Sequence, residues 1–516
     1  MVAALLAAAL AALLPQGPFD AGLRWREASP AAAPWLPGSL AFVQQGEALF
    51  GSASGLAPRA SLHSTAPFLG TGTLAPARAL ALPGTSGAIA VAAGDAPDEL
   101  FALVQTAVGG PSSKLTELVR LEPGSGGALV ERWRVPVGSV GNTTGRLAVA
   151  RDGARVALVL QDASSQQLLC EWRSAQNGSV SAARVESAGP LRACEASADL
   201  ARLAFVSGNV LRVLREDASL EYVETLAGST TALALAAHAP VLAVGAPGRV
   251  RVLRASPSGW AFDTQVLGSS GEEPVRAALD DLGATLALGW WHATSGRGAR
   301  FESWTLASGV RSFSRSFANP LGGPQDFPEA LALARDGTRL ACGRWGGDGQ
   351  SQAWLFELPS GRELLAASLP GSVRSLALDA SGTRLAVGCK STHAGTFSNA
   401  GELRLYDTGE RALQCVDAPL AGGILRVSRR APLATRVLFF IGPARSAPVS
   451  LLGTPWWVDR SAASVGIRGI DPDGVARLDL ALPAAAAGCE LAIQAVERSP
   501  GSPSRVTPEV LRIAVL

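Results

Sequence analysis

Lysine is almost missing: Lys114 and Lys390 are the only two, so arginine carries nearly all the positive charge. Charged residues make up 17% of the chain, the formal net charge is +2, and no basic block occurs. Nucleic acids and anionic membranes are held through clustered cations, so neither is expected as the main partner. Cysteine is sparse too: Cys170, Cys194, Cys342, Cys389, Cys415 and Cys489 include no C-x-x-C pair, which leaves zinc and redox motifs unsupported. Most of them sit where sister segments carry Val or Ala, so buried thiols filling core positions compete with a few disulfides. No G-x-S-x-G elbow, H-E-x-x-H pair or Walker loop is present. GTGTLA at 70–75 mimics a dinucleotide loop, but Pro76 follows where a helix would have to run. His63, His238, His292 and His393 are scattered over different segments, and no metal or cofactor is expected. Asp471 and Asp473 belong to a D-P-D-G turn between strands, which is a more ordinary use than calcium binding.

Long apolar runs are also lacking, with one exception. Met1–Leu14, MVAALLAAALAALL, has the length and composition of the hydrophobic core of a secretory signal, though no cation precedes it. It is too short to span a bilayer comfortably. The competing reading is a buried Ala/Leu helix. We therefore expect a signal peptide over 1–17, an exported protein (secreted, periplasmic or on the cell surface) and no membrane span in the mature chain. VLFFI at Val437–Ile441 reads as a strand.

What is abundant is glycine (57), proline (33) and apolar residues (47%), the composition of a turn-punctuated, many-stranded protein. The clearest stretch, Ser372–Asp417, contains SVRSLALDA, SGTRLAVGCK, GELRLYDTGE and RALQCVD, four short β-prone runs separated by turns. Leu376, Leu378, Leu385 and Val387 share one parity, and Ala377, Ala386 and Gly388 the other. Successive side chains of a strand point to opposite faces, so a bulky face and a tiny face alternate with no polar face between them. Both faces are then buried, bulky against small on the neighbouring sheet. Sheets converging on an axis need that taper. Ser381-Gly382, Asp152-Gly153 and Asp336-Gly337 are hairpin signals.

The unit recurs. Anchoring on the small residue of each second strand gives Ala102, Ala157, Ala204, Ala243, Ala287, Ala341 and Ala386, at gaps of 55, 47, 39, 44, 54 and 45 residues. LAFVQQGEALFG at Leu40–Gly51 fits an eighth copy. With WLFELPSG and LRLYDTG as third strands and turns, the pattern resembles the WD40/YVTN class of β-propellers over about three quarters of the chain. The copies depart from that family's pattern: no Gly-His dipeptide precedes them, and Tyr406-Asp407 is the nearest match to a terminal Trp-Asp. The resemblance implies an all-β chain, a propeller of seven or eight blades. It implies little about function, because the superfamily serves many.

The expected organisation is a linker or ring-closing strand over 18–38, a β-propeller over 39–418, and a small antiparallel β-sandwich over 419–516. The last segment holds GILRVSR, ATRVLFFIG, SVGIRGI, VARLDLALP, ELAIQAVE and VLRIAVL, six short strands without the repeat. GVARLDLALPAAAAGCELAIQAV resembles the small β domains that end many secreted bacterial proteins. Trp456-Trp457 is expected in its core.

In a propeller, loops between second and third strands emerge with the inter-blade connections on one face. Here they are WWHATSGRGAR, RWGGDGQSQ and CKSTHAGTFSNAG, joined by FANPLGGPQDFPEA. They place Trp290, Trp291, His292, Arg344, Trp345, Asp348, Lys390, His393 and Phe397 on adjacent blades. Rings with a few polar groups suit a binding surface; the alternative is that the tryptophans cap blade ends and pack locally. The expected function is thus an exported, non-catalytic and monomeric binding or scaffolding propeller holding a protein, peptide or glycan on its loop face. The alternatives are a propeller enzyme of lyase, glycosidase or quinoprotein type, and a cytoplasmic scaffold if residues 1–17 are no signal.

Overall fold

The computed structural model describes the backbone of most of the chain between Leu23 and Val515 and, for the most part, side chains from Ile89 onward. Residues 1–22, including the expected signal, the D-P-D-G turn at 471–474 and the segment 70–75 lie outside the described residues. No helix among the described residues is long and apolar enough to cross a membrane.

The alternation of bulky and tiny residues does what the sequence requires of it. Second strands such as Val241–Ala246 and Arg339–Arg344 are buried at every position. Fourth strands such as Val180–Ser187 are exposed or half-buried throughout, as an outer edge must be. Leu385, Val387 and Cys389 pack in one cluster with Ala341, Ala353 and Ala367 of the preceding sheet. A Cβ added at Gly343 would lie 2.6 Å from Val373 Cγ1 and 2.8 Å from Leu376 Cδ2, so the small face has no spare room. The hairpin signals also take the form expected: Gly153, Gly337 and Gly382 have φ of +67°, +69° and +69°, which only glycine adopts cheaply. Asp379 holds one such turn by accepting from the amides of Thr383 and Arg384.

These strands form four-stranded antiparallel sheets in chain order, spanning residues 36–81, 86–140, 143–187, 191–225, 233–267, 272–318 and 328–367, here sheets 1 to 7. Sheet 8 takes three strands from 373–407 and its fourth, Leu23–Ala28, from the other end of the chain. The first strand of each sheet packs on that of the next, and Val373–Leu378 of sheet 8 packs on Leu36–Phe42 of sheet 1. This is a β-propeller. The expected outer strand RALQCVD is a correction: Leu413–Cys415 pairs with Ile424–Arg430 instead, and Leu23–Ala28 occupies the edge of Gly401–Asp407. The chain accordingly divides between Thr408 and Gly409 rather than at 418. Cys342 and Cys389 are fully buried thiols within these cores.

The second unit, Gly409–Leu516, has two antiparallel sheets. One joins Leu413–Cys415, Ile424–Arg430 and Val475–Ala481; the other is built on Arg436–Leu451 and Glu490–Arg498. Leu425, Val427 and Leu478 of the first share a core with Val437, Phe439 and Ile493 of the second. Trp456 is buried against Phe440 with ring centroids 4.9 Å apart.

Candidate functional site

Strand parity decides which loop-face residues reach the surface. In Thr285–His292, Leu286, Leu288 and Trp290 share the bulky parity, and the strand runs on far enough to carry Trp290 inward. Trp290 is fully buried in the cluster containing Leu286, Leu288, Val250 and Val252. Its indole N–H donates to Glu302 Oε1 at 2.6 Å, and Arg300 lies 5.4 Å from the ring centroid. Arg344 continues the bulky parity of Leu340 and Cys342 in the same way. It is 3% exposed, paired with Asp326, and packed over Phe317 and Trp354 at 4.9 and 5.3 Å. Trp290 and Arg344 are therefore structural, correcting their expected place on the binding surface. Asp348 and Phe397 lie outside the described residues.

Trp291 has the opposite parity and is half-buried. Its ring meets Phe327 edge-on at 5.4 Å, and Phe327 meets Trp345 at 5.3 Å, giving a row of three rings from sheets 6 and 7. Phe327 precedes the first strand of sheet 7 and was hidden in the sequence as one letter of a connection. Trp345 donates its indole N–H to Glu329 Oε2 at 3.0 Å. His393 Nδ1 lies 3.3 Å from the Trp345 carbonyl oxygen, so the loop of sheet 8 joins the row. Lys390 is half-buried beside Arg374 and Glu329; burial first, then Arg374, holds its ammonium below its ordinary value, with Glu329 opposing. His292 turns to Ser295, with Nδ1 3.0 Å from Oγ, and closes its own loop.

Beside this row lies a cleft of about 410 Å³ lined by Trp291, Phe327, Val275, Thr230, Thr231 and Arg192, among others. Arg192 on its wall, Glu329 beside Trp345 and Arg374 beside Glu329 share a backbone cause. The first strands of sheets 4, 7 and 8 each hold one extra residue at the loop end, where pairing jumps from Leu191 to Ala193, from Pro328 to Ala330 and from Val373 to Ser375. The bulged residues are Arg192, Glu329 and Arg374. A bulge leaves its residue unpaired and re-aims the side chain, here out of the ladder at the inner strand. Arg276 stands beside the equivalent bulge of sheet 6. It donates to Thr231 Oγ1 at 3.2 Å and lies 5.8 Å from the Phe327 centroid. Burial lowers its affinity for a proton, Arg146 and Arg374 add to that, and Glu329 opposes. Sequence spacing does not reveal a bulge, so Arg192, Arg276 and Glu329 were missed.

Deeper along the inner strands, Glu195 is exposed at its surface, although protein crowds around it. Desolvation by that crowding pushes its carboxyl up to about 7, with Arg146 pulling the other way. At the opposite, turn-bearing end, Arg151 of sheet 3 reaches Asp281 of sheet 6 through two hydrogen bonds of 2.6 Å. Arg151 also lies 2.9 Å from His238 Nε2, which must then be the unprotonated nitrogen. His238 and Asp281 are 4.0 Å apart, but the carboxylate is already taken by Arg151, so this pair is a clamp across the turn end.

No family model matches the chain, and no curated protein matches it. Among solved structures it is similar to the beta-propeller domain of Myceliophteria thermophila Cps50 (Swd1). That similarity has a TM-score of 0.41 at 13% identity and covers 57% of this chain and 93% of the other. The propeller assignment rests on the sheets of this chain itself.

Proposed function

We propose that the chain is an exported, monomeric binding or scaffolding protein, an eight-bladed propeller followed by a β-sandwich, with no catalytic step of its own. Its ligand is taken at the loop face, and the observation that carries this reading is the cleft beside Trp291 and Phe327. Its volume of about 410 Å³ lies within the range of sites that enclose a small group or a few side chains. Aromatic walls supply contact area there, and Arg192, Thr230 and Thr231 supply orientation. Four successive sheets, 4 to 7, contribute to it.

One observation favours the enzyme alternative: Glu195 combines a proton affinity near neutrality with a cavity, which is what a general acid needs. Hydrolysis of a glycoside takes two carboxyls flanking the bond, and the acids near the mouth, Glu273 and Glu329, are each already engaged, with the Gly248 amide and with Trp345. Binding is the better reading. Trp291→Ala in the full-length protein tests it: ligand captured by the wild type in a peptide and glycan array should be lost, while the melting temperature changes little. Retention of every captured ligand would refute the site. Secretion of a reporter fused to residues 1–30 tests export.

A further inference from the structure

We infer that the cleft selects a carboxylate-bearing peptide segment; this rests on the reading of the cleft as the binding site and adds the charge of its occupant. The first support is an imbalance of charge. Arg192 lines the cleft and Arg276 reaches two of its lining residues, Thr231 and Phe327, while Glu273, the one carboxyl among the lining residues, already accepts from the Gly248 amide.

The second support is availability. Arg192 lines the cleft, is exposed, and has no hydrogen-bond or ion-pair partner among the described residues. A bulge spends one ladder position to present it there. A guanidinium prefers a planar two-oxygen acceptor, which a carboxylate is.

The third support distinguishes a peptide from a sugar. Sugars take a free, flat aromatic face. Here Trp291 meets Phe327 edge-on at an interplanar angle of 64°, Phe327 is tilted 41° to Trp345, and Arg276 covers a face of Phe327. The rings brace one another beside Arg192 and Arg276, an arrangement that fits an acidic side chain or a C-terminal carboxylate with a neighbouring apolar group.

The test uses the full-length chain and fluorescence anisotropy with three labelled peptides: hexaglutamate amide, hexaglutamine with a free C-terminus, and hexaglutamine amide. Unlabelled oligogalacturonate serves as competitor. Hexaglutamate amide should bind and weaken as salt rises from about 0.02 to about 0.3 M. If the terminal carboxylate is the true contact, hexaglutamine acid should bind more tightly than its amide. Arg192→Gln should weaken the carboxylate probes about 10- to 100-fold, the size of a lost hydrogen bond to a charged group. Arg374→Gln should cost less, because Glu329 already lies 3.8 Å from it. Hexaglutamine amide binding as tightly as the acidic peptides, no peptide binding at all, or an unchanged Arg192→Gln variant would each overturn the inference. So would oligogalacturonate binding where no peptide does. If Trp291→Ala still abolishes the charge-independent binding, the site stands and only its preference falls. If binding survives Trp291→Ala, the site falls as well.

Discussion

Replacing the adjacent tryptophans one at a time separates stability from recognition. Trp290 is fully buried and its indole donates to Glu302, a carboxylate with no exposed surface. Truncating a buried tryptophan to alanine costs about 3–5 kcal/mol. Withdrawing one donor from a buried carboxylate that keeps its Arg300 partner adds about 1 kcal/mol. Collapse cannot relieve much of this, because Gly268 already abuts the ring: a Cβ built there would lie 2.6 Å from it. The total of about 4–6 kcal/mol, divided by an unfolding entropy of about 2.1 cal/mol/K per residue over the unit Met1–Thr408, lowers Tm by about 5–7 °C. Trp291→Ala removes a half-buried ring and one edge contact, about 1–2 kcal/mol and about 1–2 °C on the same scale. The assay is a thermal melt followed by ellipticity, with anisotropy against hexaglutamate amide on the same preparations. Trp290→Ala should melt early yet bind well below its Tm; Trp291→Ala should melt nearly normally and fail to bind. Equal Tm losses, or loss of binding by a Trp290→Ala protein of unchanged Tm, would refute the parity argument.

Asp281→Asn should lower the urea midpoint by the equivalent of about 1–3 kcal/mol, below the full cost of breaking a buried pair because Arg151 and Asp281 keep 18% and 14% of their side-chain surface. An unchanged midpoint would show that the clamp contributes nothing. Gly343→Val should cost about 1–3 kcal/mol by overpacking against Val373 and Leu376, read as an earlier melt; a normal melt would count against the small-face packing. Glu195 binds its proton more tightly folded than unfolded, so its contribution is fully present below about 4.5 and is lost as pH rises through about 7. The Tm difference between wild type and Glu195→Gln should therefore shift against the wild type across that window, the opposing titration of His238 cancelling in the subtraction. A flat difference would mean that the carboxyl is not held protonated.

Local pattern alone was enough for the strands, the turns and the repeated sheet. Period-2 placement of Leu against Ala or Gly states which residues share a face, and Asp-Gly or Ser-Gly states where the chain reverses. The same parity, carried two residues further, would have placed Trp290 with Leu286 and Leu288, and Arg344 with Leu340 and Cys342. Three things needed the fold. The sequence leaves the segment before residue 39 as either a linker or a ring-closing strand, and only the fold shows Leu23–Ala28 supplying an edge to a strand nearly the whole first unit away. The inner-strand bulges break the period that sequence reading relies on, and Arg192, Glu329 and Arg374 sit on them. Phe327 acquires its place between two tryptophans only because neighbouring sheets stand side by side. Periodicity is a property of one strand; a site shared by four sheets exists only once they are assembled.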